Sequence, residues 1–181
     1  MQMSTLKNTA WTVLIAGALA TIAFDFFGQT ISPLLKGLAG PFIGAKLAPI
    51  PLAQAALAEI TGIPGKDLRA LGLPHGLHTL TGLIAYPLGW LLVVRPIWAR
   101  VAPKMHWSLP ALAYGVGLWV FALYIMAHLV VGNAPFLGFS GITWVALWGH
   151  ILFALVAAAV IEKRMPMTTQ DRLSVEMRPA E

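Results

Sequence analysis

Four stretches of this chain stay apolar for about 20 residues each, the length a helix needs to cross roughly 30 Å of hydrocarbon. They run from about Trp11 to Ile31, Pro74 to Val94, Leu109 to Val131 and Gly141 to Ile161. Backbone inside a bilayer must satisfy its own hydrogen bonds, which leaves such stretches little choice but the α-helix. Only 10% of the 181 residues are charged, against about a quarter in a soluble domain. The mean hydropathy is +0.76. The expected fold is all-α: an integral membrane four-helix bundle, one domain over residues 1–161, followed by a flexible cytoplasmic tail over 162–181.

The connections carry their own signals. Ser32 to Leu73 is the longest, and within it Pro51 to Ile60 reads as a short helix with proline in its first turn. Its low polarity fits a segment lying on the membrane surface or capping the bundle. Pro96 and Pro103 are expected to stop the second helix, and Gly132 to Gly138 reads as a tight uncharged turn. Hydrophobicity continues past Ala20 through Phe27, which favours an uncleaved first span over a signal peptide.

In a four-span chain Lys7, Arg95, Arg100, Lys104, Lys163, Arg164, Arg172 and Arg178 share one side, and Lys36, Lys46, Lys66 and Arg69 the other. That excess places both termini in the cytoplasm and the long connection outside it. The net charge of +5 does not point to nucleic acid, because these cations sit at span ends, where they meet lipid headgroups. The absence of cysteine excludes disulfides, thiolate metal sites, iron–sulfur clusters and thioether-bound haem.

Five ionisable side chains fall at one depth. Below the non-cytoplasmic span ends, His75 lies about 2 Å deep, His78 and His128 about 5 Å, Asp25 about 9 Å and His150 about 13 Å. Charged or titratable groups inside a membrane are costly and usually face protein or a cavity. Helical spacing gives each a face. Thr21, Asp25, Gly28, Gln29 and Ser32 align in the first span, and His75, His78, Gly82, Tyr86 and Gly89 in the second. Tyr114, Gly117, Phe121, Tyr124 and His128 align in the third, and Thr143, Ala146, His150, Ala154 and Ala157 in the fourth. Small residues favour close helix contacts in membranes.

Three uses of this layer compete. The polar groups, with Gln29, Tyr124 and Thr21 in support, are hydrogen-bonding glue between helices, as in a structural or assembly subunit. Alternatively, His75, His78, His128, His150 and Asp25 form a nitrogen/oxygen shell for a transition metal, or two facing histidines ligate haem b. That would suit a subunit of a larger redox complex or a homo-oligomer. The third use is a proton-linked transport path through Asp25, although the cytoplasmic half offers only Tyr86 and Tyr114 to continue it. No phosphate-binding loop, dinucleotide fingerprint, nucleophile elbow or zinc-protease motif is present. An enzyme of soluble type is not expected.

The Gly/Ala/Thr-rich first span (Ala16-Gly17 through Thr21), the long connection, the opening Pro74-His75-Gly76-Leu77-His78 and the pair Gly149-His150 resemble YagU-like small four-span bacterial inner-membrane proteins. The resemblance implies a helical bundle in a bacterial inner membrane and supplies no mechanism. The density of histidines departs from it.

Overall fold

The computed structural model describes residues 2–167. The tail expected over 162–181 therefore lies largely outside the described residues, although its first three residues prolong the last helix. Four helices are long and apolar enough to cross a membrane: α1 (Leu6–Leu34), α4 (Leu73–Val101), α5 (Ser108–Val130) and α6 (Gly141–Arg164). Two shorter helices, α2 (Pro49–Thr61) and α3 (Gly65–Ala70), fill the long connection. Many large apolar side chains face outward, among them Trp11, Ile22, Leu92, Ile97 and Leu129. An outward apolar surface of that extent suits contact with lipid.

α6 is the hub. It packs along both α1 and α5, and α4 closes the ring against α1. Its buried stripe contains Thr143, Ala146, His150, Ala154 and Ala157, the face anticipated from its small residues. Gly115 brings α5 against the α6 backbone, since a Cβ there would meet the Ile151 Cα at 2.6 Å. Gly17 does the same for α1 and α4: its Cβ would stand 2.2 Å from the Leu83 carbonyl oxygen. Pro87 lacks the N–H that would bond that carbonyl in a regular helix. The bare glycine thus meets backbone directly.

Prolines shape these spans without ending them. Ser32, Tyr86 and Arg95 each precede a proline, and each donates its N–H five residues back, to Phe27, Thr81 and Trp90 respectively. A wide π-type turn moves the carbonyls away from the proline ring, so the helix continues. The stop expected at Pro96 is therefore a correction: α4 runs on to Val101. In α1 the same arrangement leaves the Gly28 carbonyl free, and Leu47 N–H takes it at 2.9 Å. The Ser32 hydroxyl donates to the Ala45 carbonyl at 2.8 Å and accepts from Gly44 N–H at 3.0 Å. The connection is pinned to the end of α1, and Leu47 is buried inside the bundle.

α2 extends the helix anticipated over Pro51 to Ile60 by two residues at its start and one at its end. It packs against the first turns of α4 and the last turns of α5. Spans α4 and α5 approach each other mainly near the termini end, so α2 fills the gap between them at the connection end. The turn between α5 and α6 contains Phe136, Leu137, Gly138 and Phe139, all with positive φ. Thr143 donates to the Phe136 carbonyl at 2.5 Å, and the Phe136 ring stacks on Trp119 at 4.6 Å.

At the termini end Trp90 is fully buried, and its indole donates to Glu162 at 3.2 Å. Arg95 lies 3.0 Å from the same carboxylate and also donates to the Met165 carbonyl. Arg164 donates to Thr12 at 3.3 Å. These residues read in sequence as topology signals and the start of a tail. In the structure they tie α1, α4 and α6 together. Trp98 is also buried here and donates to the Met105 carbonyl at 3.1 Å.

Candidate functional site

A half-open cavity of about 280 Å³ lies beneath α2, between α1, α4, α5 and α6. Most of its wall is apolar, from Phe24, Leu47, Leu52, Ala56, Leu123 and Phe153. Polar atoms come from Thr21, His78, Tyr86 and His150. Two of the wide helical stretches, Thr81–Ala85 and Phe121–Val130, contribute to the wall. Leu77 on α4 and Phe121 on α5 line the cavity and are exposed. They mark an opening between the two spans that separate at this end.

The structure divides the five residues of the polar layer. Asp25 and His78 meet, with Asp25 Oδ2 3.4 Å from His78 Nε2. Gln29 donates to the other carboxylate oxygen at 3.0 Å. This pair joins α1 to α4, and of its members only His78 reaches the cavity. His150 is buried one layer further in, its Nδ1–H donating to the Ala146 carbonyl at 2.7 Å. The Phe24 ring packs against both histidines, with centroids 5.0 Å from His150 and 6.4 Å from His78.

His128 and His75 do not join them. His128 donates from Nδ1 to the Asn133 carbonyl at 2.7 Å and packs on Tyr124, so it secures the end of its own helix. His75 is exposed, which settles that His78 is the inward member of the pair three apart. Tyr124 and Gln29 are exposed and lie outside the cavity wall, whereas Thr21 lies in it. Among the described residues no group of three or more His, Asp or Glu side chains is placed to hold a metal ion. The expected five-residue shell is thus not assembled. His78 and His150 are the two histidines that share the cavity, with the Phe24 ring against both.

The face anticipated for the third span is also corrected. Gly117, Phe121 and Tyr124 point outward, and the buried stripe is Ala111, Gly115, Leu118, Leu123 and Ala127. The spacing changes after Leu118 because Phe121–Val130 is wound more widely, which advances the inward face by an extra residue. Small residues at 111, 115 and 127 were the available signal; aromatic and histidine positions misled.

Two groups in the wall lack partners. Thr21 Oγ1 is buried without a hydrogen bond. Gly82 makes room for it, since a Cβ there would stand 2.2 Å from that oxygen. His150 has a bond at Nδ1 only. With one proton on the ring, that proton sits on Nδ1, and Nε2 is left as a bare acceptor.

Fold and cavity together define a class: a four-span helical bundle of membrane type with a small, mainly apolar chamber at one end. Comparison with protein-family models, with curated proteins and with solved structures gave no match. The similarity to YagU-like proteins therefore adds no residue roles, and the function is read from the chamber.

Proposed function

We propose that this protein sits in a bacterial inner membrane with both termini cytoplasmic and holds a small, largely apolar molecule in the chamber beneath α2. One observation carries the reading: the chamber is lined almost wholly by apolar side chains yet retains unpaired polar atoms on Thr21 and His150. Ligand sites are concave and mostly apolar, with a few polar groups that fix orientation. A volume of about 280 Å³ lies at the small end of such sites. The exposed lips Leu77 and Phe121 provide entry from among the lipid chains. The Asp25–His78 pair holds α1 to α4 beside the chamber, and His128 fastens the end of α5. In this reading those residues position the walls. Glue between helices and ligand binding are then complementary roles of different members of the layer.

The test is photolabelling of the full-length protein in liposomes with an octane bearing a diazirine. Labels are expected on wall residues such as Leu77, Leu123 and Phe153, and Ala146→Leu, which fills the chamber, should suppress them. Labelling confined to outward residues such as Leu92 and Leu129, or unchanged in the filled variant, would refute the chamber as a binding site.

A further inference from the structure

We infer that the chamber selects a lipid-soluble molecule carrying one hydroxyl group, an alcohol or a phenol, which donates its hydrogen bond to Nε2 of His150. The inference rests on the chamber being a binding site and adds the chemistry of its occupant.

The argument starts from the tautomer. Nδ1 faces the Ala146 carbonyl at 2.7 Å, and a carbonyl only accepts, so Nδ1 carries the proton. The bond runs back along the same helix, to a residue four positions earlier, and therefore fixes the ring as well as the proton. Phe24 supports the ring edge-on at 5.0 Å. Nε2 then presents a lone pair with no partner among the described residues, on a side chain only 7% exposed that lines the chamber. Nε2 is open to the chamber and not sealed in the wall, and the apolar lining offers it few donors, so a donor arriving there gains a hydrogen bond.

The acceptor discriminates among ligand classes. A ketone, ester or ether has no proton to give. A carboxylate has none either and carries charge into an apolar wall, which is costly. An ammonium group has protons but brings the same charge penalty. A hydroxyl donates one hydrogen bond while remaining neutral. His150 is buried on α6 whereas Leu77 and Phe121 are exposed at the lips, so the polar end of the ligand is oriented inward and its apolar body lies toward Leu77 and Phe121.

The experiment compares diazirine-bearing octan-1-ol with its methyl ether, which retains the oxygen and loses the donor. Both are applied to the full-length protein in liposomes at equal concentration in the lipid phase. The alcohol is expected to label chamber residues about tenfold more strongly than the ether, the discrimination one hydrogen bond in an apolar chamber gives. His150→Leu should bring the two probes to equal labelling of the chamber. Equal labelling by alcohol and ether in the wild type overturns the inference, even if His150→Leu fails to fold. A preference that survives in His150→Leu overturns it as well. Absence of chamber labelling by every probe, the octane included, instead removes the binding site itself.

Discussion

Gly17→Ala tests whether the bundle depends on backbone contact between α1 and α4. The added methyl carbon would stand 2.2 Å from the Leu83 carbonyl oxygen and 2.6 Å from its carbonyl carbon and Cα. Favourable packing of such atoms begins near 3.5 Å, so the helices must separate by about 1 Å. The obstructing atoms are backbone, so no rotamer change relieves them. Overpacking of this kind costs about 1–3 kcal/mol, while replacing a helical glycine by alanine returns up to about 1 kcal/mol. Gly117→Ala supplies the comparison, since nothing lies within 4 Å of its Cβ. That variant should be neutral or stabilised by up to about 1 kcal/mol. With about 1 kcal/mol returned the net loss is up to about 2 kcal/mol, so thermal unfolding in detergent should place Gly17→Ala below wild type by up to about 8 °C, at about 2–4 °C per kcal/mol for a chain of this size. Gly17, Thr21 and Asp25 stand four apart on α1, so the separation should also weaken the Asp25–His78 contact. Unfolding of Gly17→Ala at or above the wild-type temperature would refute the close approach.

The other expectations concern the two ends of the bundle. Glu162→Gln removes the charge that Arg95 faces at 3.0 Å, on side chains only 14% and 9% exposed for Arg95 and Glu162. A loss of about 2–4 kcal/mol is expected from a cation left largely buried, read as a lowered unfolding midpoint; an unchanged midpoint would show that water solvates Arg95. Thr143→Val removes the hydroxyl that holds the Phe136 carbonyl. It should cost about 1–3 kcal/mol and quicken amide exchange across 135–139, and unaltered exchange there would mean that ring stacking alone maintains the turn.

Depth in the bundle was legible in the sequence, and direction around each helix was only partly so. Counting residues from span ends places Asp25, His78 and His150 near the chamber, because rise per residue is nearly constant. The direction of a side chain depends on accumulated rotation, and a five-residue bonded turn changes it. α6 contains no such turn and its inward face follows helical spacing from Thr143 to Ala157. In α5 the anticipated stripe from Tyr114 to His128 already departs at exposed Gly117, and the wide stretch from Phe121 then carries the inward face to Leu123 and Ala127. Hydropathy offers no correction, since lipid-facing and protein-facing residues are equally apolar. The anchor at Glu162 was hidden for a different reason: polar residues just past a span look like tail until a partner such as Arg95 is placed beside them.

The same wide turns connect that uncertainty to the chamber. A regular α4 would direct the Pro87 ring into the Leu83 carbonyl; the turn at Thr81–Ala85 avoids this and leaves Gly82 facing Thr21. The wide stretch in α5 places Ala122, Leu123 and Met126 along the opposite wall. α2 then enters where α4 and α5 do not meet, and its Ala56 becomes buried. Two of the departures from regular helix, in α4 and α5, face the same 280 Å³. Locally, wide turns accommodate prolines in α1 and α4; α5 has no proline inside its wide stretch. There the proline explanation does not apply, and the stretch coincides with the chamber wall, as π-type turns often do at functional sites. α5 is therefore the helix whose geometry argues most directly that the chamber is part of the protein's function.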